Sequence, residues 1–379
     1  MLLGSRFKIV FASLILLAVM SCGPKKNGEN LPKGNSLDRG LMLINIADSI
    51  VIPAYAKFDA KLVTMVTAGD AFRANPTLTT LADFRAAWRQ AYIEWQKVAI
   101  FDFGPAADNG LNSFMNIYPT NEAIINANIT GGNASLETFA SYPAQGFPAF
   151  DYLLNGLATT DADIVAFYTT DVDAAKRLGY VLQLTNQMTL KFSAVQTAWN
   201  TTYRNSFVAN TSMDISSPTS LMVNGIVKYY ERNIRSGKFG YPSGVMVGGV
   251  VSPEKVEAFY AKNLGLTLAK TSHDAFVDYF NGVAIKSGVE GASLKTYLNS
   301  LNAKDATTQI ALSETINTQF GVITDKLNVL TEDLSNEVST NNTAMIAVYN
   351  EMQLLARLLK VDMTSAMSIT ITYTDNDGD

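Results

Sequence analysis

Apolar residues recur three and four positions apart over long stretches of this chain, and this spacing constrains the fold more than any other feature. In the first half the spacings are 3, 4, 3, 4 and 3, through Leu81, Phe84, Trp88, Ala91, Trp95 and Val98. An α-helix has 3.6 residues per turn, so this stripe predicts an amphipathic helix packed on a core. Residues 80–83 (TLAD) resemble a capping box, with Asp in place of Glu or Gln, and predict the helix start.

The second half of the chain has the same pattern. Its stripe runs through Ile316, Phe320, Ile323, Leu327, Leu330, Leu334 and Val338, and it resumes at Val348 after the polar residues 339–343. A short polar break between two such stripes predicts an αα-hairpin. Residues 252–254 (SPE) are typical of another helix start, with a capping hydroxyl, a Pro and an acid in the first turn.

These patterns predict an all-α protein. The helical patterning lapses around residues 205–218, and the parts on either side have an ordinary domain size. We therefore expect two helical bundles packed against each other, residues 37–205 and residues 206–379.

The N-terminus is typical of a targeting signal. Arg6 and Lys8 precede a run of twelve apolar residues, 9–20 (IVFASLILLAVM), which is too short to span a membrane but suits a signal-peptide core. The run ends in VMSC, which resembles the lipobox of bacterial lipoproteins. This resemblance implies cleavage after residue 21 and lipidation of Cys22, whereas a chance Cys beside an ordinary secretory signal is the alternative. Residues 22–36 are polar and rich in Gly and Pro, and predict a flexible tether.

Charge and residue counts exclude several kinds of site. The formal net charge is −5, so the chain has no basic field for a nucleic acid. A single Cys excludes an internal disulfide, a multi-Cys zinc site and an iron–sulfur cluster, and a single His excludes a site with two imidazole ligands. The one His, His273, is expected to be a hydrogen-bonded or surface imidazole on a helix. The terminal residues 375–379 (DNDGD) lack the spacing of a calcium loop and predict a solvated acidic tail.

One short motif remains as a candidate site, residues 146–154 (GFPAFDYLL). Pro148 is expected at the first helical position, which places Asp151 one turn later, where the helix N-terminus stabilises an anion. A helix start with a favourable acid above an apolar face accounts for this pattern without any function.

The motif is similar to the signature of the imelysin-like proteins, bacterial envelope proteins often linked to iron uptake, whose pattern is Gly-x-His-x-x-Glu followed by an apolar run. Other stretches resemble the family in the same order along residues 36–379. They are residues 52–55 (IPAY), residues 88–105, which end in FGP, residues 118–119 (YP), residues 238–244 (KFGYPSG), residues 254–260 and residues 375–379. The resemblance implies two facing helical bundles with the motif in a cleft.

Residue by residue, the motif departs from the family pattern. Gly146 matches the Gly and Phe147 stands at a variable position, whereas Pro148 replaces the His and Asp151 replaces the Glu. A His and an acid three apart on a helix can bind one metal, but Pro offers no ligand atom. The metallopeptidase activity once ascribed to the family needs a competent metal site. We therefore do not expect a peptidase here.

The resemblance implies a non-catalytic binding lipoprotein beside an iron- or haem-uptake system, anchored through Cys22 to the outer membrane. Iron or another divalent metal is the candidate cofactor, with Asp151 as its ligand if one binds. Glu94, Asp102 and Tyr118 are candidate neighbours of Asp151 in the cleft, while Trp95 belongs to the apolar stripe. The alternatives are a metal-dependent hydrolase with an all-carboxylate site, and a scaffold that binds a glycan or a partner protein.

Overall fold

The computed structural model describes residues 36–132 and 134–374, which form helices joined by loops. These residues form no β-strand, and their only β-pairings are isolated bridges between Val283 and Glu290 and between Lys304 and Ala311. The all-α prediction is therefore confirmed. The predicted signal peptide, Cys22 and the acidic tail lie outside the described residues.

The α-helices are interrupted or extended by π-helical and 3₁₀ segments. The first ten α-helices are α1 Ser36–Asn45, α2 Ile52–Ala74, α3 Leu78–Val98, α4 Pro105–Asp108, α5 Leu111–Met115, α6 Glu122–Gly131, α7 Gly146–Asp151, α8 Asp161–Thr169, α9 Ala174–Ala198 and α10 Arg204–Ala209. The others are α11 Pro218–Tyr229, α12 Gly265–Asn281, α13 Leu294–Ser300, α14 Leu312–Leu327, α15 Leu334–Thr340, α16 Asn342–Arg357 and α17 Thr364–Ala366. The π-helical segments are Ile46–Val51, Tyr152–Gly156, Trp199–Tyr203, Tyr230–Gly240 and Leu358–Met363, and the 3₁₀ turns are Phe139–Ala144, Val245–Val247 and Pro253–Lys255.

Helix α3 is the helix that the first apolar stripe predicts. All six stripe residues are buried, and the helix packs along α2. Its start lies three residues earlier than predicted, because Thr77 rather than Thr80 is the N-cap. Thr77 Oγ1 accepts from the Thr80 N–H, and Thr80 Oγ1 accepts from the Thr77 N–H, so the capping box is formed by this pair.

The run from Asp38 to Ala74 is apolar and long enough to cross a membrane by length and composition. Half of its most apolar window is buried inside the protein. Buried side chains such as Phe58, Leu62 and Met65 face the neighbouring helices α3 and α9. Its apolar character is therefore that of a core helix.

The second half contains the predicted helical hairpin. Helix α15 ends at Thr340, helix α16 begins at Asn342, and α16 packs on both α14 and α15. The first arm is two helices rather than one, because residues 328–333 separate α14 from α15 while Leu330 stays buried.

The helix predicted to begin at Ser252 does not form there. Residues Pro253–Lys255 make a single 3₁₀ turn, and α12 begins only at Gly265. The residues between them run along the protein as an irregular segment whose backbone groups are bound by other parts of the chain. That segment forms one wall of the candidate site.

All the described residues belong to one compact unit. Helix α12 of the second half packs on α3 of the first half. The division into bundles 37–205 and 206–379 stays a prediction.

Candidate functional site

A cavity of about 240 Å³ lies between the motif helix α7 and the irregular segment before α12. Its lining combines aromatic rings and prolines with three carboxyl groups. The lining residues are Tyr118, Pro119, Thr120, Glu122, Pro148, Asp151, Glu254, Val256, Ala258, Phe259 and Tyr260. Three residues predicted for the cleft, Tyr118, Pro148 and Asp151, thus lie around one cavity.

Gly146 allows helix α7 to start close to the carbonyl groups of α5. Its φ is +71°, and a Cβ at this position would lie 2.2 Å from the carbonyl oxygen of Met115. Pro148 is the third residue of the helix rather than the first. Phe147 is fully buried and stacks on Tyr92, with ring centroids 4.6 Å apart. This packing fixes the position of Asp151 at the end of the helix.

Asp151 binds the backbone of a segment that is distant in sequence. Its Oδ2 accepts from the N–H of Tyr260 and its Oδ1 from the N–H of Ala261, both at 2.9 Å. Asn155 Nδ2 donates to Oδ1 at 3.3 Å. The side chain is only 2% exposed. Burial raises the pKa of the Asp151 carboxyl to about 7, since desolvation outweighs the two backbone donors, which favour the carboxylate.

Beside the cavity is a buried polar cluster that was not among the predicted site residues. Lys238 and Glu257 form an ion pair with both side chains 2% exposed. Gln96 Nε2 and Asn116 Nδ2 both donate to Glu257 Oε1, at 2.9 and 2.7 Å, and Lys238 Nζ donates to Gln96 Oε1 at 2.9 Å. Tyr92 completes the cluster by donating to Asn116 Oδ1 at 2.6 Å.

Burial and the Glu257 charge determine the ionisation of this cluster. Burial lowers the pKa of Lys238, while the attraction to Glu257 acts in the opposite direction. Burial, together with the negative charge of Glu257, raises the pKa of Tyr92 and Tyr118 well above the usual value. Both phenols therefore stay protonated at neutral pH. The only sequence signal for the cluster was that Lys238 and Glu257 lie in two stretches that resemble the imelysin-like family.

The other two predicted neighbours lie elsewhere. Glu94 lines none of this cavity and pairs with Lys97, its Oε2 2.9 Å from Nζ. Asp102 pairs with Lys228, its Oδ2 2.7 Å from Nζ, and it lines a second cavity together with Tyr203. Trp95 is fully buried, with its ring centroid 5.3 Å from that of Phe58.

The residues of the motif do not fit a metal site of the imelysin type. Pro148 has no ligand atom, and each Asp151 oxygen already accepts a backbone N–H. Over residues 36–132 and 134–374, no group of three or more His, Cys, Asp and Glu side chains is placed to hold a metal ion.

His273 is a core residue rather than a ligand. It lies on α12, fully buried, with Nε2 3.2 Å from the Phe320 carbonyl oxygen and 3.1 Å from Thr324 Oγ1. Burial lowers the pKa of His273 to about 4, so the imidazole is neutral at neutral pH.

Comparison with known proteins identifies the family. The peptidase family model described as Imelysin matches residues 51–360. Iron-regulated protein A of Synechococcus elongatus is 25% identical over 233 residues, which are 57% of this chain and 57% of that protein. The match thus spans little more than half of the relative's length.

Two crystal structures share the fold. An imelysin-like protein from Psychrobacter arcticum superposes with a TM-score of 0.68 at 16% identity, over 89% of this chain and 98% of that one. An iron-regulated protein A precursor from Parabacteroides distasonis superposes with a TM-score of 0.70 at 18% identity, over 90% of this chain and 97% of that one. Because the family model covers most of its length, the chain belongs to the imelysin family.

Proposed function

We propose that this chain is a cell-envelope lipoprotein, anchored to the outer membrane through Cys22, that binds a ligand in the motif cavity without cleaving it. The ligand belongs to iron acquisition, as a metal ion, a small iron chelate or haem. Support comes from the lipobox-like VMSC sequence and from the relative described as iron-regulated. The partners would be components of an iron- or haem-uptake system, with no role for nucleic acid.

The hydrogen bonds of Asp151 are the observation that favours binding without catalysis. In the family pattern this position is an acid that can face a metal, but here both carboxylate oxygens accept backbone N–H groups. The neighbouring ligand position is Pro148, whose side chain has no ligand atom. A metallopeptidase needs a metal that activates water or polarises the scissile carbonyl. The motif therefore supports binding rather than hydrolysis.

The cavity limits the size of the ligand. Pockets for drug-sized molecules have volumes of about 300–1,000 Å³, whereas this one is about 240 Å³. An ion or a small chelate fits this volume as it stands. Haem would require the wall of the cavity to move.

Ligand titration tests the proposal. The full chain in detergent would be titrated calorimetrically with ferrous, ferric, zinc and calcium ions, and separately with haem. Glu254 lines the cavity and is exposed. Glu254→Ala should therefore weaken the affinity for whichever probe binds the unaltered chain at least tenfold. Glu314→Ala, an exposed acid on α14, is the control and should leave the affinity unchanged. Failure of every probe to bind would overturn the proposal.

A peptidase assay tests the alternative of a metal-dependent hydrolase. Three carboxyl groups line the cavity, those of Glu122, Asp151 and Glu254. We expect no peptide hydrolysis with or without added zinc. Chelator-sensitive hydrolysis that disappears in Asp151→Asn would establish the alternative instead.

A further inference from the structure

Residues 256–262, which we name the strap, cover one side of the cavity. Val256, Ala258, Phe259 and Tyr260 line it, and the strap lies between the turn at Pro253–Lys255 and the start of α12. Two strap residues that are not glycine adopt left-handed backbone conformations, Ala258 with φ of 57° and Lys262 with φ of 54°. Such conformations cost free energy and persist only where surrounding contacts enforce them.

The first contact that enforces this conformation is with Asp151. The N–H groups of Tyr260 and Ala261, which lie between the two left-handed residues, both donate to its carboxylate. Residues in a helix would give these N–H groups to carbonyls four positions back. The Asp151 carboxylate thus replaces the backbone carbonyl oxygens that would accept these two N–H groups in a helix.

The ends of the strap are fixed by other contacts. Glu257 is buried in the ion pair with Lys238, and Lys262 Nζ donates to Ser335 Oγ at 3.0 Å. The Tyr260 hydroxyl donates to Glu122, and its ring packs on Tyr152 with centroids 5.3 Å apart. Phe259 and Tyr260 are only half-buried, so water can reach the middle of the strap once it loosens.

We propose that Asp151 is the latch of the strap, and that release of the Tyr260 and Ala261 amides from its carboxylate widens the cavity so that it admits ligands larger than its present volume, such as haem. Residues 259–261 move, while Glu257 stays anchored to Lys238. Ala258 and Lys262 act as hinges, because leaving the left-handed region relieves strain and partly offsets the lost hydrogen bonds. The motif position that is an acid in the family thus controls the width of the cavity in this chain. The proposal rests on the proposed function for its ligand, but the motion itself is tested without one.

Hydrogen exchange of the full chain measures the latch directly. In Asp151→Asn the side chain keeps its size but can accept only one of the two N–H bonds, so exchange in peptides spanning 256–264 should accelerate at least tenfold. The matched control is Asp305→Asn. Asp305 Oδ1 also accepts two backbone N–H groups, from Thr307 and Thr308, in a turn outside the cavity lining. This control should change exchange in the strap less than twofold. Exchange within α12 reports whether the variants stay folded.

Cysteine labelling then tests whether release widens the cavity. Val256 lines the cavity and is 3% exposed, so a thiol introduced by Val256→Cys should react slowly with maleimide. Adding Asp151→Asn should raise its labelling rate at least tenfold, with the modified peptide distinguished from Cys22 by mass spectrometry.

Equal strap exchange in Asp151→Asn and in the unaltered chain would overturn the latch. Faster exchange without faster labelling would overturn the widening of the cavity. If both rates rise but no iron probe or haem binds in the titration above, the latch stands and the proposed function fails.

Discussion

The carboxylate of Asp151 lies 2.9 Å from the backbone nitrogen of Tyr260, a residue 109 positions later in the chain. This bond joins the motif helix α7 to the segment that precedes α12. The residue that resembles a metal ligand by its position in the motif is therefore a structural acceptor between the two halves of the chain. Its removal should affect folding stability before it affects any chemistry.

Asp151→Ala should lower the free energy of unfolding by about 1–3 kcal/mol, because two largely buried N–H groups lose their acceptor. Relief of the buried charge offsets part of this loss. Urea unfolding at pH 7.5 measures it, with Asp305→Ala as the comparison for a carboxylate that caps two N–H groups in a turn. An Asp151→Ala variant as stable as the unaltered chain would contradict the structural role.

Glu257→Gln should destabilise the fold by about 3–5 kcal/mol, since it leaves the buried Lys238 ammonium without a counter-charge. The double variant Lys238→Met with Glu257→Gln should lose less than the sum of the two single variants, because both charges are then absent. Urea unfolding of the four proteins gives the coupling energy. Additive losses would mean that the ion pair contributes little.

Gly146→Ala should cost about 2–5 kcal/mol, combining a left-handed backbone conformation with overpacking against the Met115 carbonyl. Gly248 has a similar φ of +66° but no atom within 4 Å of a Cβ placed there. Gly248→Ala therefore isolates the backbone effect and should cost only about 1–2 kcal/mol. Thermal unfolding of both variants would show the difference, and equal losses would argue against the close approach of α7 to α5.

His273 should make stability fall as the pH drops from about 6.5 to about 4. The unfolded chain takes up a proton on this imidazole near its usual pKa of 6.5, whereas the buried ring stays neutral until its pKa of about 4. The loss amounts to about 3 kcal/mol. Asp151 acts in the opposite direction, because its raised pKa makes stability rise as the pH falls below about 7.

The contribution of His273 is therefore measured as a difference. The stability advantage of the unaltered chain over His273→Gln, taken from urea unfolding, should shrink by about 3 kcal/mol between pH 7.5 and pH 4. A constant difference over this range would show that the imidazole titrates normally in the folded protein.

Cys22→Ala should release the protein from the membrane fraction if Cys22 carries the lipid. Multiple acyl chains give stable anchoring because each buried methylene contributes about 0.8 kcal/mol. Fractionation of cells expressing either form, with detection of the protein in pellet and supernatant, checks this. An unchanged membrane pellet would assign the anchoring to another part of the chain.

The sequence by itself determined the all-α class and the buried faces of the two long apolar stripes. The stripe from Leu81 to Val98 and that from Ile316 to Val338 are buried as predicted, because a period of 3.6 residues is a local property of the backbone. It also selected Pro148, Asp151 and Tyr118, which lie around one cavity. The same local pattern placed the start of α3 one turn too late, since Thr77 and Thr80 can both cap a helix on this face.

Only the tertiary structure decided how the polar groups are paired. Residues 252–254 carry every local signal of a helix start, yet the following N–H groups bind Asp151 and Glu257 binds Lys238. Glu94 and Asp102 are as polar as Glu257 but do not line the candidate site. Glu94, on α3, pairs with Lys97, and Asp102, after α3, pairs with Lys228. A buried charge or N–H group requires a partner. That partner lies 19 residues away for Glu257 and 109 residues away for Asp151, so the local sequence pattern does not reveal it.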